Sequence, residues 1–120
     1  MTIGNSIAEM EVTGLDDGLT KVTLSGRLDT PGVDRIEARF AAAVVPSGKS
    51  AIVDVSRVVF AGSMGIRMFI TIARSMGLRQ ARLALYGAQS MVSEVFENVS
   101  LSEIMPIVAT ETEAITAVSS

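Results

Sequence analysis

The chain has no cysteine and no histidine among its 120 residues. The first absence removes disulfides, thiol catalysis and thiolate metal sites. The second removes the usual general base, the commonest metal ligand and the usual phosphoryl acceptor of relay proteins. What remains for chemistry is carboxylates, hydroxyls, Lys21, Lys49 and eight arginines, a thin set for an enzyme and one that calls for no cofactor or metal. Lysine and arginine gather into no block and the net charge is −3, which argues against nucleic acid as a partner. The N-terminal residues have neither a basic start nor an apolar core, and no uncharged apolar run approaches the ~18 residues of a membrane span. The expectation is a soluble, cytoplasmic protein that is not an enzyme and does not insert into a membrane.

A hydrophobic content of 48% with 19% charged residues suits a compact globule, and this length suits one domain spanning residues 1–120. Residues 7–12 alternate apolar and polar and lead into a turn-rich link with Asp16-Asp17-Gly18; residues 19–28 alternate again. Two strands so joined predict an antiparallel hairpin. At Asp29-Thr30-Pro31-Gly32, Thr30 is placed to cap a helix whose first position is Pro31, with Val33, Ile36, Phe40 and Val44 as its buried stripe. Residues 50–55 form an almost continuous apolar run, expected of a central strand. A short strand over 82–86 follows, then a helix over 87–98 with Met91, Val92, Val95 and Phe96 inward, then an extended piece near 104–108. Thr110 and Glu113 have capping-box spacing and open a last helix with Ala114, Ile115 and Val118 on one side. The order predicts an α/β fold: a mixed sheet made of an N-terminal hairpin and right-handed β-α-β crossovers, with four helices.

Residues 58–78 carry the strongest signal. An apolar run ends at Phe60, a small-residue turn follows at Ala61-Gly62-Ser63, and from Gly65 the spacing turns helical, with Ile66, Phe69, Ile70, Ala73 and Met76 on one face and Gly77 as the expected close. Ser63 stands at the helix mouth, where its hydroxyl can cap and where helix amides and dipole also favour a phosphate. Opposite the Ile66/Ile70/Ala73 face, Met64 and Met68 are expected to project with Arg67, Thr71 and Ser75. Methionines beside an exposed serine suit a partner surface, against which a phosphate on Ser63 would be desolvated at a cost of several kcal/mol per ion. The plain alternative is a capping serine among ordinary exposed apolar residues. Function in such sheets gathers beyond the carboxyl ends of parallel strands, so Asp29-Thr30 and Gly62-Ser63 are expected to be neighbours.

The pieces L-S-G-R-L-D at 24–29, A-I-V-D-V-S at 51–56 and F-A-G-S-M-G-I at 60–66, in that order, resemble the STAS domain of bacterial anti-sigma factor antagonists. The resemblance covers nearly the whole chain. It implies a non-enzymatic partner-switching protein. In that family a serine after an aspartate, in an Asp-Ser-Ser/Thr-Gly turn, is phosphorylated by an anti-sigma factor that is also an ATP-dependent serine kinase. The unphosphorylated antagonist binds that kinase and frees the sigma factor, and a phosphatase restores it. By position, Ser63 matches the phosphoacceptor, Gly65 the turn glycine and Asp29 the acidic residue beside the site; Thr30, Gly62, Met64, Arg67 and Met68 complete the expected partner-binding surface.

Two positions depart from the pattern. Gly62 stands where the aspartate is usual and Met64 where Ser or Thr is usual. Losing the carboxylate removes a group that orders the loop, and also a charge that repels a phosphate; the two effects oppose. One rival reading is a non-phosphorylated STAS adaptor subunit of a transporter or stress-sensing complex, which Gly62 favours. Another is a magnesium-binding receiver pocket from Asp16, Asp17 and Asp54, disfavoured because the chain opens with a hairpin and has no lysine after Lys49. The partner-switching reading is compatible with a homodimer.

Overall fold

A computed structural model of the chain describes residues 7–15 and 18–119. Strands β1 (Glu9–Gly14) and β2 (Thr20–Leu28) pair antiparallel, and β3 (Ala51–Ala61), β4 (Leu83–Tyr86) and β5 (Ile107–Val108) extend the sheet in parallel, in the order β1-β2-β3-β4-β5. Alternate residues of the central strands face opposite ways, as the two-residue period of a strand requires. Val53, Val55, Leu83 and Leu85 meet α1 (Thr30–Val44), α2 (Ser63–Gly77) and α3 (Ser90–Asn98), whereas Ile52, Ala84 and Tyr86 meet α4 (Glu111–Ser119). The expected mixed sheet and element order are present, with a short 3-10 turn at Leu101–Glu103 before β5.

The expected stripe of α1, Val33, Ile36, Phe40 and Val44, is buried. The capping box of α4 forms: Glu113 Oε1 accepts the N–H groups of Ala109 and Thr110 (3.1 and 3.2 Å), and Thr110 Oγ1 accepts that of Glu113 (3.2 Å). At the first turn of α4, Glu111 Oε1 accepts from Lys21 Nζ (2.9 Å) and from the Tyr86 hydroxyl (3.0 Å). Burial, then the bond to Glu111, pushes the Tyr86 hydroxyl up to about 12.

Several details differ from the sequence expectation. First, β3 continues past Val55 to Ala61; Asp54 is the last residue paired with β4, and the rest of the strand pairs with β2. The register with β2 shifts between Thr23 and Ser25 and again between Gly26 and Arg27, each time with one extra residue in β3, and these two shifts account for the breaks in alternation at Ser56-Arg57 and Val59-Phe60. Second, α2 is rotated: its buried face is Gly65, Ile66, Met68, Phe69, Ile72 and Met76, with Met68, Ile72 and Met76 in one i, i+4, i+8 row. Phe69 is pinned edge-on between Phe40 and Phe96, at 6.2 and 6.1 Å between centroids. Third, α2 runs through Gly77 and is capped at Leu78, the left-handed residue being Gln80. Likewise α3 starts at Ser90 rather than 87, with Val92 and Phe96 buried and Met91 turned out, 77% exposed.

Candidate functional site: two adjoining helix mouths

Leu28 and Ala61 are register partners at the carboxyl ends of β2 and β3, and the Gly62 N–H donates to Leu28 O at 3.1 Å. Each strand gives way to a helix after one further extended residue, Asp29 (φ −99°, ψ −172°) and Gly62 (φ −97°, ψ −172°). The expected neighbourhood of Asp29-Thr30 and Gly62-Ser63 is therefore present. In both mouths a hydroxyl residue, Thr30 or Ser63, is the first helical residue, and a glycine, Gly32 or Gly65, is the third. Those glycines mark close approach. A Cβ on Gly65 would stand 2.9 Å from Leu28 Cβ and 3.0 Å from Leu28 O; one on Gly32 would stand 2.0 Å from Arg27 O.

The side chains then diverge. Asp29 Oδ1 accepts the Gly32 N–H (2.9 Å) and Oδ2 accepts Arg27 Nε (3.2 Å). These bonds, the Gly32 amide first and Arg27 after it, hold the Asp29 carboxyl below its ordinary value. Gly62 has no side chain and no such cap forms at α2. Ser63 is exposed, and its hydroxyl has no hydrogen-bond partner among the described residues. The leading amides of α2 are thus open to an anion brought by that hydroxyl.

Phe60 and Arg27 flank the open mouth. They are cross-strand partners, and the guanidinium carbon lies 4.3 Å from the ring centroid, a cation–π contact. A Cβ at Gly62 would come within 3.1 and 3.3 Å of the Phe60 ring, although the backbone there suits any residue. Phe60 thus crowds the space of the absent aspartate. The sequence reading does not name this pair; setting R-L-D at 27–29 beside F-A-G at 60–62 in parallel register brings Arg27 opposite Phe60.

Several expected placements are corrected. The cap of α1 is Asp29 rather than Thr30, and Ser63 is the first residue inside α2 rather than its cap, because Asp29 and Gly62 are the last extended residues. Met68 is fully buried and Met64 half-buried against the core, so neither makes an open methionine surface. Gly65 is buried beneath the mouth, which leaves Thr30, Ser63 and Arg67 as exposed members of the expected surface. Phosphate desolvation against Met68 therefore does not arise. In the acidic-pocket reading, Asp54 Oδ1 accepts the Ser56 N–H at 2.9 Å, and Asp16 and Asp17 lie outside the described residues.

The family model for the STAS domain matches residues 9–114. The chain belongs to the STAS domain family. Bordetella bronchiseptica BtrV, assigned by name to the anti-sigma factor antagonists, is 30% identical to this STAS domain over 91 residues, covering 76% of this chain and 78% of that protein. The structure of an anti-sigma factor antagonist from Mycobacterium paratuberculosis is similar at a TM-score of 0.84 and 22% identity, covering 96% of this chain and 97% of that one. The Bacillus cell fate determinant SpoIIAA in its phosphorylated form is similar at a TM-score of 0.63 and 25% identity, covering 90% and 97%. No helix among the described residues is long and apolar enough to cross a membrane.

Proposed function

We propose that this STAS domain is an anti-sigma factor antagonist switched by phosphorylation of Ser63. The observation that carries this reading is the pair of mouths: one is closed by Asp29, and the other presents an unbonded hydroxyl on an uncapped helix start. In the proposed cycle the partner, an anti-sigma factor that is also a serine kinase, transfers the γ-phosphoryl group of ATP to Ser63 Oγ, releasing ADP and the hydroxyl proton. A phosphatase hydrolyses the ester and returns the free serine. The unmodified domain binds the partner through the exposed surface around Thr30, Asp29, Ser63 and Arg67, and thereby frees sigma factor.

Phosphorylation adds about −1.5 to −2 charge beside Asp29, at a helix start that tolerates an anion. The domain therefore stays folded and the effect falls on the interface. Isothermal titration of the host's anti-sigma factors with unmodified and Ser63-phosphorylated protein tests this. Binding weakened at least tenfold by the phosphate is expected. Equal affinity for both forms contradicts the switch, and exclusive binding to a transport or stress-sensing assembly supports the adaptor reading instead.

A further inference from the structure

Helix α2 reads S-M-G-I-R-M-F-I-T-I-A-R-S-M-G and carries no Asp or Glu, in a chain whose net charge is −3. At 100° per residue, Ser63, Arg67, Thr71 and Arg74 fall within about 80° of arc. All four are exposed. Arg67 lies one turn after Ser63, and its guanidinium has neither hydrogen bond nor ion pair among the described residues. Arg27, the other arginine at this mouth, is already held by Asp29 and the Phe60 ring.

We propose that Arg67 captures a phosphate on Ser63 within α2, so that modification also withdraws the leading positive charge of this stripe. The proposal rests on Ser63 being the modified residue. Side chains on a helix lean toward its N-terminus, so Arg67 leans back over Ser63, with Cβ atoms at i and i+4 about 5–6 Å apart. The forked guanidinium matches two phosphate oxygens. The free stripe presents Arg67 and Arg74 to a partner; the modified stripe presents Arg74 and a phosphate of net negative charge. The same event adds an anion and removes a cation from one docking face.

Phosphoserine installed at position 63 by genetic encoding tests the pair without any kinase, so its failure and the failure of the kinase reading are separable. The second ionisation of the phosphate, ordinarily about 6, is followed by phosphorus NMR. A value lower by roughly 0.3 in the unsubstituted protein than in Arg67→Gln is expected, about twofold in the ionisation constant. The gap should narrow at high salt, Arg67→Lys should retain part of it, and Arg74→Gln, two turns further from Ser63 than Arg67, should leave it intact. Equal values in the unsubstituted protein and Arg67→Gln, or an equal rise in Arg74→Gln, overturn the pair. Arg67 is exposed, so matching urea midpoints of the variants keep the comparison on folded protein.

Discussion

At the mouth of α1 the chain runs Asp29-Thr30-Pro31-Gly32, and at the mouth of α2 it runs Gly62-Ser63-Met64-Gly65, with the same backbone angles at the first residue and the same tight glycine at the fourth. In the first, the Asp29 carboxylate occupies the Gly32 amide and proline supplies no N–H. In the second, all three leading amides exist and no side chain takes them. Thr30 and Ser63 are both exposed hydroxyls on first helical residues, so their chemistry differs through their neighbours alone. A phosphate at Thr30 would face the Asp29 charge and a used amide, whereas at Ser63 it would find free donors. The carboxylate of Asp29 and the ring of Pro31 separate a closed helix start from the open one at which the proposed function places the modification.

The largest effects come from breaking what the mouths share. Gly32→Ala sets a Cβ 2.0 Å from a backbone oxygen and should cost about 3 kcal/mol in urea denaturation, at the upper end for overpacking. Gly65→Ala, with contacts of 2.9 and 3.0 Å, should cost roughly 1–3 kcal/mol. Equal stability of both variants to the unsubstituted protein would mean that the helix starts are not pressed on the strand ends.

A smaller effect comes from opening the first mouth. Asp29→Ala should lower the urea midpoint by less than either glycine substitution. Because the folded carboxyl ionises below its ordinary value of 3.8, the stability it contributes is present above that value and lost as pH falls through the lower folded one. The difference between the two proteins should therefore vanish in strong acid; a difference unchanged across that range would assign the loss to something other than the ionised cap.

The smallest effect on stability comes from closing the second mouth. Gly62→Asp gains a cap worth only a few tenths of a kcal/mol over glycine and must displace the Phe60 ring edge slightly. Urea midpoints should agree within about 0.5 kcal/mol. Phosphoserine at 63 in this variant should show a raised second ionisation by phosphorus NMR, since a like charge now stands beside it.

Much of this architecture was readable from local pattern. The α1 stripe and the Thr110–Glu113 box are short-range signals, and both formed. The adjoining mouths followed from placing strand ends at one side of a parallel sheet. The misread features depend on distant parts of the chain. Helix α2 is apolar around more than half its circumference, so its period alone does not say whether Met68 or Ile70 faces inward; contact of Phe69 with Phe40 and Phe96 decides it. The length of β3 and the Arg27–Phe60 pair depend on register with β2. At Asp29-Thr30 two good capping residues stood side by side, and the length of β2 chose between them.

The central claim, that the open mouth is the modified one, is most directly tested by intact mass and site mapping. The protein is incubated with the host's anti-sigma-factor kinases and ATP, alongside Ser63→Ala and Thr30→Val. One phosphate on the unsubstituted protein and on Thr30→Val, absent from Ser63→Ala, is the expected result. Phosphate on Thr30, or none on any form under all kinases, would contradict it.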